Sequence, residues 1–393
     1  MGAGQFAPVT QPTVVIPTQT PYPRRNTPLP RTPDPRATPL LFQPISFRSV
    51  TAANRIVVAP MCQYSAVDGL GDDWHIQHLG ARAAGGAGVV MVEATHVSAI
   101  GRITPGCLGA YNDEHQRLLT RIASIITKCG SVPAIQIAHA GRKASCQRPW
   151  EGGKPIMPQD GGWVPVAPSA IPMIAGSVDP HPLSAGEVAD ISAQFAATAR
   201  MAREAGFKIV ELHAAHGYLA HSFLSPISNH RNDQYGGDLN GRSRFLLQTL
   251  EAIRGEWPDD LPLWVRLSCT DYMPNGLTLA DIVSVVKRIK ETGMVDLIDC
   301  SSGGVSNDQK IPSLHPGYQV PFADTIRRET GMATGAVGMI TEPTHAAEIL
   351  ANERADVVLL ARALLADPAW PLHAAKALGV KPDLLPQYSR AVL

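Results

Sequence analysis

His213, His216 and Tyr218 stand within six positions of one another, in the run H-A-A-H-G-Y. Two imidazoles three residues apart, with a phenol two further on, admit three chemistries. They would bind zinc if a third ligand stood at helical spacing, as in H-E-x-x-H, but none does. They would be histidines satisfied by nearby backbone groups. Or two ring N–H groups would hold a substrate oxygen while Tyr218 supplies a proton, since a phenol with an ordinary pKa of about 10 is protonated at neutral pH. A second set lies in P-M-C-Q-Y at 60–64, which holds Cys62 and Tyr64. Taken alone, Cys62 reads equally as a small core filler. The other cysteines, 107, 129, 146, 269 and 300, read as structural. No pair among the six has C-x-x-C spacing, so nothing local supports a zinc site or an iron–sulfur cluster.

The elements that must position these residues follow from an alternation along the chain. Short apolar, β-branched runs at 56–59, 89–93, 133–138, 208–212, 263–267, 295–300, 333–337 and 356–360 predict eight buried strands. Helical periodicity falls between most of them, at 114–128, 185–205, 242–256, 279–291 and 344–352. Gly130, Gly206 and Gly293 stand where a left-handed helix cap is wanted. Eight strands alternating with helices predict a closed parallel (β/α)8 TIM barrel. The competing open, doubly wound sheet would carry G-x-G-x-x-G after an early strand, and none follows Val57 or Val92. A Gly- and Pro-rich insertion at about 140–182 is predicted to cap the active-site face. Residues 1–38, with nine prolines from Pro8 to Pro35, read as an extended or disordered tail before a single domain at 39–393.

In such a barrel the chemistry gathers at the C-terminal strand ends. Taken in order, those ends present Ala59, Pro60, Met61, Cys62 and Tyr64; Ala94; Gln136; His213 and His216; Arg266; Ser301 and Ser302; Gly338; and Ala361 with Arg362. Small residues after the last two strands let backbone N–H groups approach an anion, and Arg362 beside them suits a phosphate.

These runs carry a resemblance. P-M-C-Q-Y, H-A-A-H-G-Y, F-L-S-P-I-S-N-H-R-N-D-Q-Y-G-G at 223–237, D-C-S-S-G-G at 299–304, T-G-A-V-G at 334–338 and R-A-D-V-V-L-L-A-R at 354–362 together resemble the Old Yellow Enzyme family, from about residue 40 onward. Cys62 is similar to the cysteine of the subclass called thermophilic-like. The resemblance implies FMN as cofactor and NADPH, or NADH, as hydride donor. It implies an enone-type small-molecule substrate and reduction of its activated C=C bond. It further implies that Ala59, Pro60, Met61 and Cys62 line the flavin, with Cys62 tuning its potential. Ala94 and Gln136 would touch the isoalloxazine, Arg266 would face its pyrimidine side, and Ala361 and Arg362 would hold the phosphate. His213 and His216 would bind the substrate oxygen, Tyr218 would protonate the α-carbon, Tyr64 would contact substrate, and Lys143 would lie near the site. Arg390 resembles an arginine that reaches a neighbouring subunit's site, which implies a homodimer or homotetramer. The chain departs from the family in Ala361, where glycine is usual, and in lacking an aromatic residue after Arg390.

Composition narrows the remaining classes. Thirty-four basic and 34 acidic residues leave no net charge, against a nucleic-acid partner. No apolar run reaches membrane-spanning length. Without a basic-then-apolar leader, a cytoplasmic location is expected, with mitochondrial targeting as the alternative. A different FMN barrel, such as a hydroxy-acid oxidase or a dienoyl reductase, and a barrel reduced to a binding scaffold are the competing functions.

Overall fold

The computed structural model describes residues 38–174 and 177–391; the Pro-rich tail lies outside them. Eight parallel strands close into one barrel: β1 Ile56–Val58, β2 Val89–His96, β3 Val132–Ala138, β4 Ile209–Ala214, β5 Leu263–Ser268, β6 Leu297–Ser301, β7 Ala333–Ala336 and β8 Val357–Leu360. Closure is made by β8 on β1, where Leu359 pairs with Val57. Every predicted strand is present, with ends that shift by one to three residues. Strand β1 stops at Val58 rather than residue 59, and β2 runs on to His96 through a register shift between Val92 and Thr95.

Strand residues divide with period two. Ile56, Val90, Ile135, Val210, Val265, Ile298 and Val358 pack outward into the cluster that holds the helices. Val57, Met91, Ala134, Ile209, Trp264, Leu297 and Leu359 pack inward, onto Phe47. Phe47 belongs to a hairpin, Ile45–Phe47 paired with Val50–Ala52, and its ring meets Trp264 edge-on at 5.3 Å. The barrel floor is therefore dry and filled. Two residues further along the same inward rows stand Glu93, Gln136, Glu211, Arg266 and Asp299, and beyond them His213 and Ser301. This alternation places a polar layer on an apolar plug, at the end of the barrel where the chemistry belongs.

The helices are set by their caps. Ser184 and Glu187 form a capping box on helix Ala185–Ala205, and Gly206 ends it at φ 97°. Thr278 and Asp281 do the same for Leu279–Thr292, ended by Gly293. Helices Asp73–Ala84 and Val320–Thr330 and the hairpin were not legible in the sequence. Asp73–Ala84 mixes His, Arg and Gly with few large apolar residues, so its inward face shows no apolar stripe. The insertion between β3 and β4 folds back over the mouth and pairs Val166–Ala167 with His181–Pro182. No helix among the described residues is long and apolar enough to cross a membrane.

Candidate active site

At the end of β4 the chain turns sharply and carries its imidazoles with it. The Ala215 N–H donates to His213 Nδ1 at 3.2 Å, which leaves the His213 proton on Nε2. His216 adopts a left-handed conformation, φ 59°, uncommon for a non-glycine residue. Its N–H donates to Ser268 Oγ at 2.9 Å and its carbonyl accepts from Lys143 Nζ at 2.8 Å. The turn presses on the loop after β6. A Cβ on Gly217 would meet the Gly304 carbonyl oxygen at 2.2 Å, and one on Gly304 would meet His216 Cα at 2.5 Å. Both glycines are required by this mutual approach, which the sequence reading had not explained.

His213 Nε2 and His216 Nδ1 lie 3.4 Å apart, and His216 Nε2 lies 2.6 Å from Ser301 Oγ. When the Ser301 hydroxyl donates to that Nε2, the His216 proton sits on Nδ1. Two N–H groups then open on one point and can share one acceptor oxygen. Burial, and next the Arg266 charge, hold both imidazoles well below their ordinary pKa. They are therefore neutral donors, suited to a developing oxyanion.

Tyr218 stands against this pair, its ring edge-on to His213 at 4.8 Å and the Lys143 ammonium 5.1 Å above it. Burial, then the nearby Cys62 and Tyr64, push its phenol well above the usual range. Tyr64, also left-handed at φ 53°, is pinned by Arg148 Nε donating to its carbonyl at 2.9 Å. Cys62, Tyr64, Tyr218 and Trp163 pack against Ile103 and Cys107 to form an apolar wall. A cleft of about 270 Å³ opens from there, lined by Tyr64 and Lys143 and by Trp163, Met173 and Ile174 of the capping insertion. Burial, and next Glu93, raise the Cys62 pKa, so the sulfur is a thiol. Glu93 accepts from the Gln63 N–H at 2.7 Å and lies 3.1 Å from His75 Nε2.

Below the imidazoles lies the polar layer. Gln136 Nε2 donates to Glu211 Oε1 at 2.8 Å, and Arg266 Nε lies 3.1 Å from Asp299 Oδ2 without hydrogen-bond alignment. Between β7 and β8 a groove of about 290 Å³ is lined by Gly338 at φ 125°, Met339, Gln319, Ala361 and Arg362. Gln319 Oε1 also accepts from Ser302 and lies 3.4 Å from Ser301 Oγ, linking that groove to the histidines.

Residues 40–380 match the model of the NADH:flavin oxidoreductase / NADH oxidase family. The chain belongs to that family. It is an oxidoreductase of the Old Yellow Enzyme kind. It is similar to an NADPH dehydrogenase of Geobacillus sp. (strain WCH70), 47% identical over 356 residues, 89% of this chain and 98% of that one. Among solved structures it is similar to a 2-naphthoyl-CoA reductase, with a TM-score of 0.78 and 27% identity over 87% of this chain, which spans 52% of that longer one. Morphinone reductase in complex with tetrahydroNAD shares the fold, with a TM-score of 0.72 at 23% identity over 88% of this chain and 93% of that one.

The barrel mouth suits a flavin. Arg266 Nε, both Asp299 oxygens and Glu211 Oε2 are buried without hydrogen-bond partners, an unfinished polar floor that ring heteroatoms above it can complete. The Gly338 backbone and the exposed Arg362 flank a groove open to an anionic group. Ala59, Pro60, Met61 and Cys62 leave β1 and edge the same mouth; Ala94 comes from β2 and Gln136 from β3. The structure thus gathers every predicted site residue except Arg390. That residue is exposed and follows a segment, 380–386, packed beside Asn54, Gly86 and Gly130, which precede β1, β2 and β3. It lies outside its own chain's site. Sequence reasoning placed Glu93 at the end of a strand without a role and passed over His75, Glu211, Asp299 and Gln319. Glu211 and Asp299 each stand two residues from an inward-facing group, and that period was the available signal.

Proposed function

We propose that this oxidoreductase is an FMN-dependent ene-reductase that takes hydride from NADPH, or NADH, and reduces activated C=C bonds of α,β-unsaturated carbonyl compounds, maleimides and nitroalkenes. The observation that carries this reading is the pair of buried, neutral imidazoles, with His213 Nε2 and His216 Nδ1 3.4 Å apart, beside a protonated Tyr218. The backbone of Ala59, Pro60, Met61 and Cys62, with Ala94, Gln136, Arg266, Gly338, Ala361 and Arg362, would hold FMN, and Cys62 as a thiol would adjust its potential. When bound, FMN supplies hydride to the substrate β-carbon. The chain's own residues do the rest. His213 and His216 bind the carbonyl or nitro oxygen and stabilise the negative charge that develops on it. Tyr218 gives its proton to the α-carbon, so hydride plus proton yields the saturated product. Arg266, the cation of the layer below, offsets negative charge on the reduced cofactor. Tyr64 and the apolar wall of the cleft orient the substrate and exclude water.

The similarity to an NADPH dehydrogenase of Geobacillus supports the donor, and the similarity to a 2-naphthoyl-CoA reductase supports reduction of unsaturated carbon. The test is anaerobic. Protein loaded with FMN is expected to bleach with NADPH and to regain its yellow colour when cyclohexenone or N-ethylmaleimide is added, with loss of the alkene. Reoxidation by oxygen alone, with no enone, maleimide or nitroalkene consumed, would assign an oxidase instead.

Arg390 carries a further part of this proposal. Exposed and away from its own site, it is free to enter the site of a second copy, as a guanidinium that holds a substrate or nicotinamide oxygen. A dimer or tetramer is then expected in solution. Arg390→Ala should lower turnover without weakening FMN binding. Mixing Arg390→Ala chains with Tyr218→Phe chains should restore activity, because one site of each heterodimer keeps both groups. No recovery after verified subunit exchange would remove Arg390 from the site.

A further inference from the structure

The polar layer under the site holds more acid than base. Glu211 on β4 and Asp299 on β6 flank Arg266 on β5, with Arg266 directly paired to Asp299 in the strand register. Both carboxyl groups are fully buried, and Arg266 is nearly so. Three carboxyl oxygens, Glu211 Oε2 and both of Asp299, lack a hydrogen-bond partner, while Glu211 Oε1 accepts from Gln136. The remaining titratable groups nearby bring no second cation to these carboxyls: His213 on the same strand and His216 after it are neutral, and the Lys143 ammonium is turned to the His216 and Gly304 carbonyls. Glu93, on β2, adds another buried carboxyl beyond Gln136; its Oε2 accepts from the Gln63 N–H, and its Oε1 lies 3.1 Å from His75 Nε2 without hydrogen-bond alignment.

One guanidinium can balance one buried carboxylate. A second ionised carboxylate in a dry interior would have neither water nor a counter-charge. We propose that Glu211 and Asp299 share a single proton, held mainly on Glu211, so that Glu211 acts as a neutral positioning residue that orients the Gln136 amide while Arg266 and Asp299 form the ion pair. Burial, and then repulsion from Asp299, raise the Glu211 carboxyl in the same direction. Two consequences follow for the site above. Because Gln136 Nε2 is engaged by Glu211, its carbonyl oxygen is left to accept from a ring N–H. And because Glu211 stays neutral, the layer carries no net negative charge that would oppose an anionic reduced cofactor. These consequences rest on the flavin reading; the shared proton does not.

The test is infrared spectroscopy on the full-length protein, with and without FMN, near neutral pH. A C=O stretch of a protonated buried carboxyl group is expected in both forms. It should move in protein carrying 13C-labelled glutamate and vanish in Glu211→Gln, which mimics the neutral acid. FMN affinity, followed by flavin fluorescence, should stay within about threefold in Glu211→Gln and fall about tenfold or more in Glu211→Leu, which deletes a buried hydrogen bond worth about 1.4 kcal/mol. Absence of the labelled-glutamate band from the wild-type protein would overturn the shared proton. Equal loss of FMN affinity in Glu211→Gln and Glu211→Leu would overturn the orienting role. Presence of the band in a protein that takes up no FMN would leave the proton assignment standing and remove the flavin reading.

Discussion

Tyr218→Phe is expected to slow alkene reduction roughly 10²–10⁴-fold, the range typical of a lost general acid. Bleaching of the flavin by NADPH should be unaffected, because that step consumes no proton from Tyr218. The phenyl ring keeps the edge-on contact with His213 at 4.8 Å, so packing is conserved and the proton is what is removed. Stopped-flow measurement of the two half-reactions separates the outcomes. Equal slowing of both would mean that the ring shapes the site rather than donating. A pH profile adds a signed check. The phenol is competent while protonated, and its pKa is raised by burial, so activity is present below the raised pKa and lost only as pH climbs through it. No decline is therefore expected as pH passes the ordinary phenol value of about 10, insofar as the protein stays folded.

Replacing both His213 and His216 with Ala should cost at least as much as the roughly 10²–10³-fold measured for one lost oxyanion donor, and less than the product of two, because the donors act on one oxygen. Phenol binding should weaken in parallel, since a phenolate oxygen mimics the enolate. The charge-transfer band of such a complex is the direct readout, and an unchanged band in the double variant would mean that the oxygen is held elsewhere. Here too the sign is fixed by burial. Both imidazoles are depressed well below their ordinary pKa, so they stay neutral donors as pH falls through about 6.5, and alkene reduction should show no inflection there. Ser301→Ala should weaken the effect of His216 alone, by freeing its ring to take the other tautomer.

Much of this protein was legible before any coordinates. The eight strands announced themselves as β-branched runs because a strand buried on both faces needs apolar residues at every position, and the barrel interior and helix layer supply those two faces. The helix Ala185–Ala205 was bounded correctly at both ends, because Ser184, Glu187 and Gly206 satisfy the orphan backbone groups of its own termini. His213, His216 and Tyr218 were legible because they are neighbours in sequence, on one turn, so their spacing alone carried chemistry. The tertiary structure decided what joins residues far apart. Ser301, 85 residues from His216, completes the donor pair by setting a tautomer. Gly217 and Gly304 need each other's missing side chain. Glu211, Arg266 and Asp299 are ordinary charged residues in three separate strands until closure of the barrel takes them out of water together. Sequence spacing determines which face of a strand a residue occupies. Only the closed barrel determines which charges share that face, and the strength of their interaction there comes from the loss of solvent, which no spacing records.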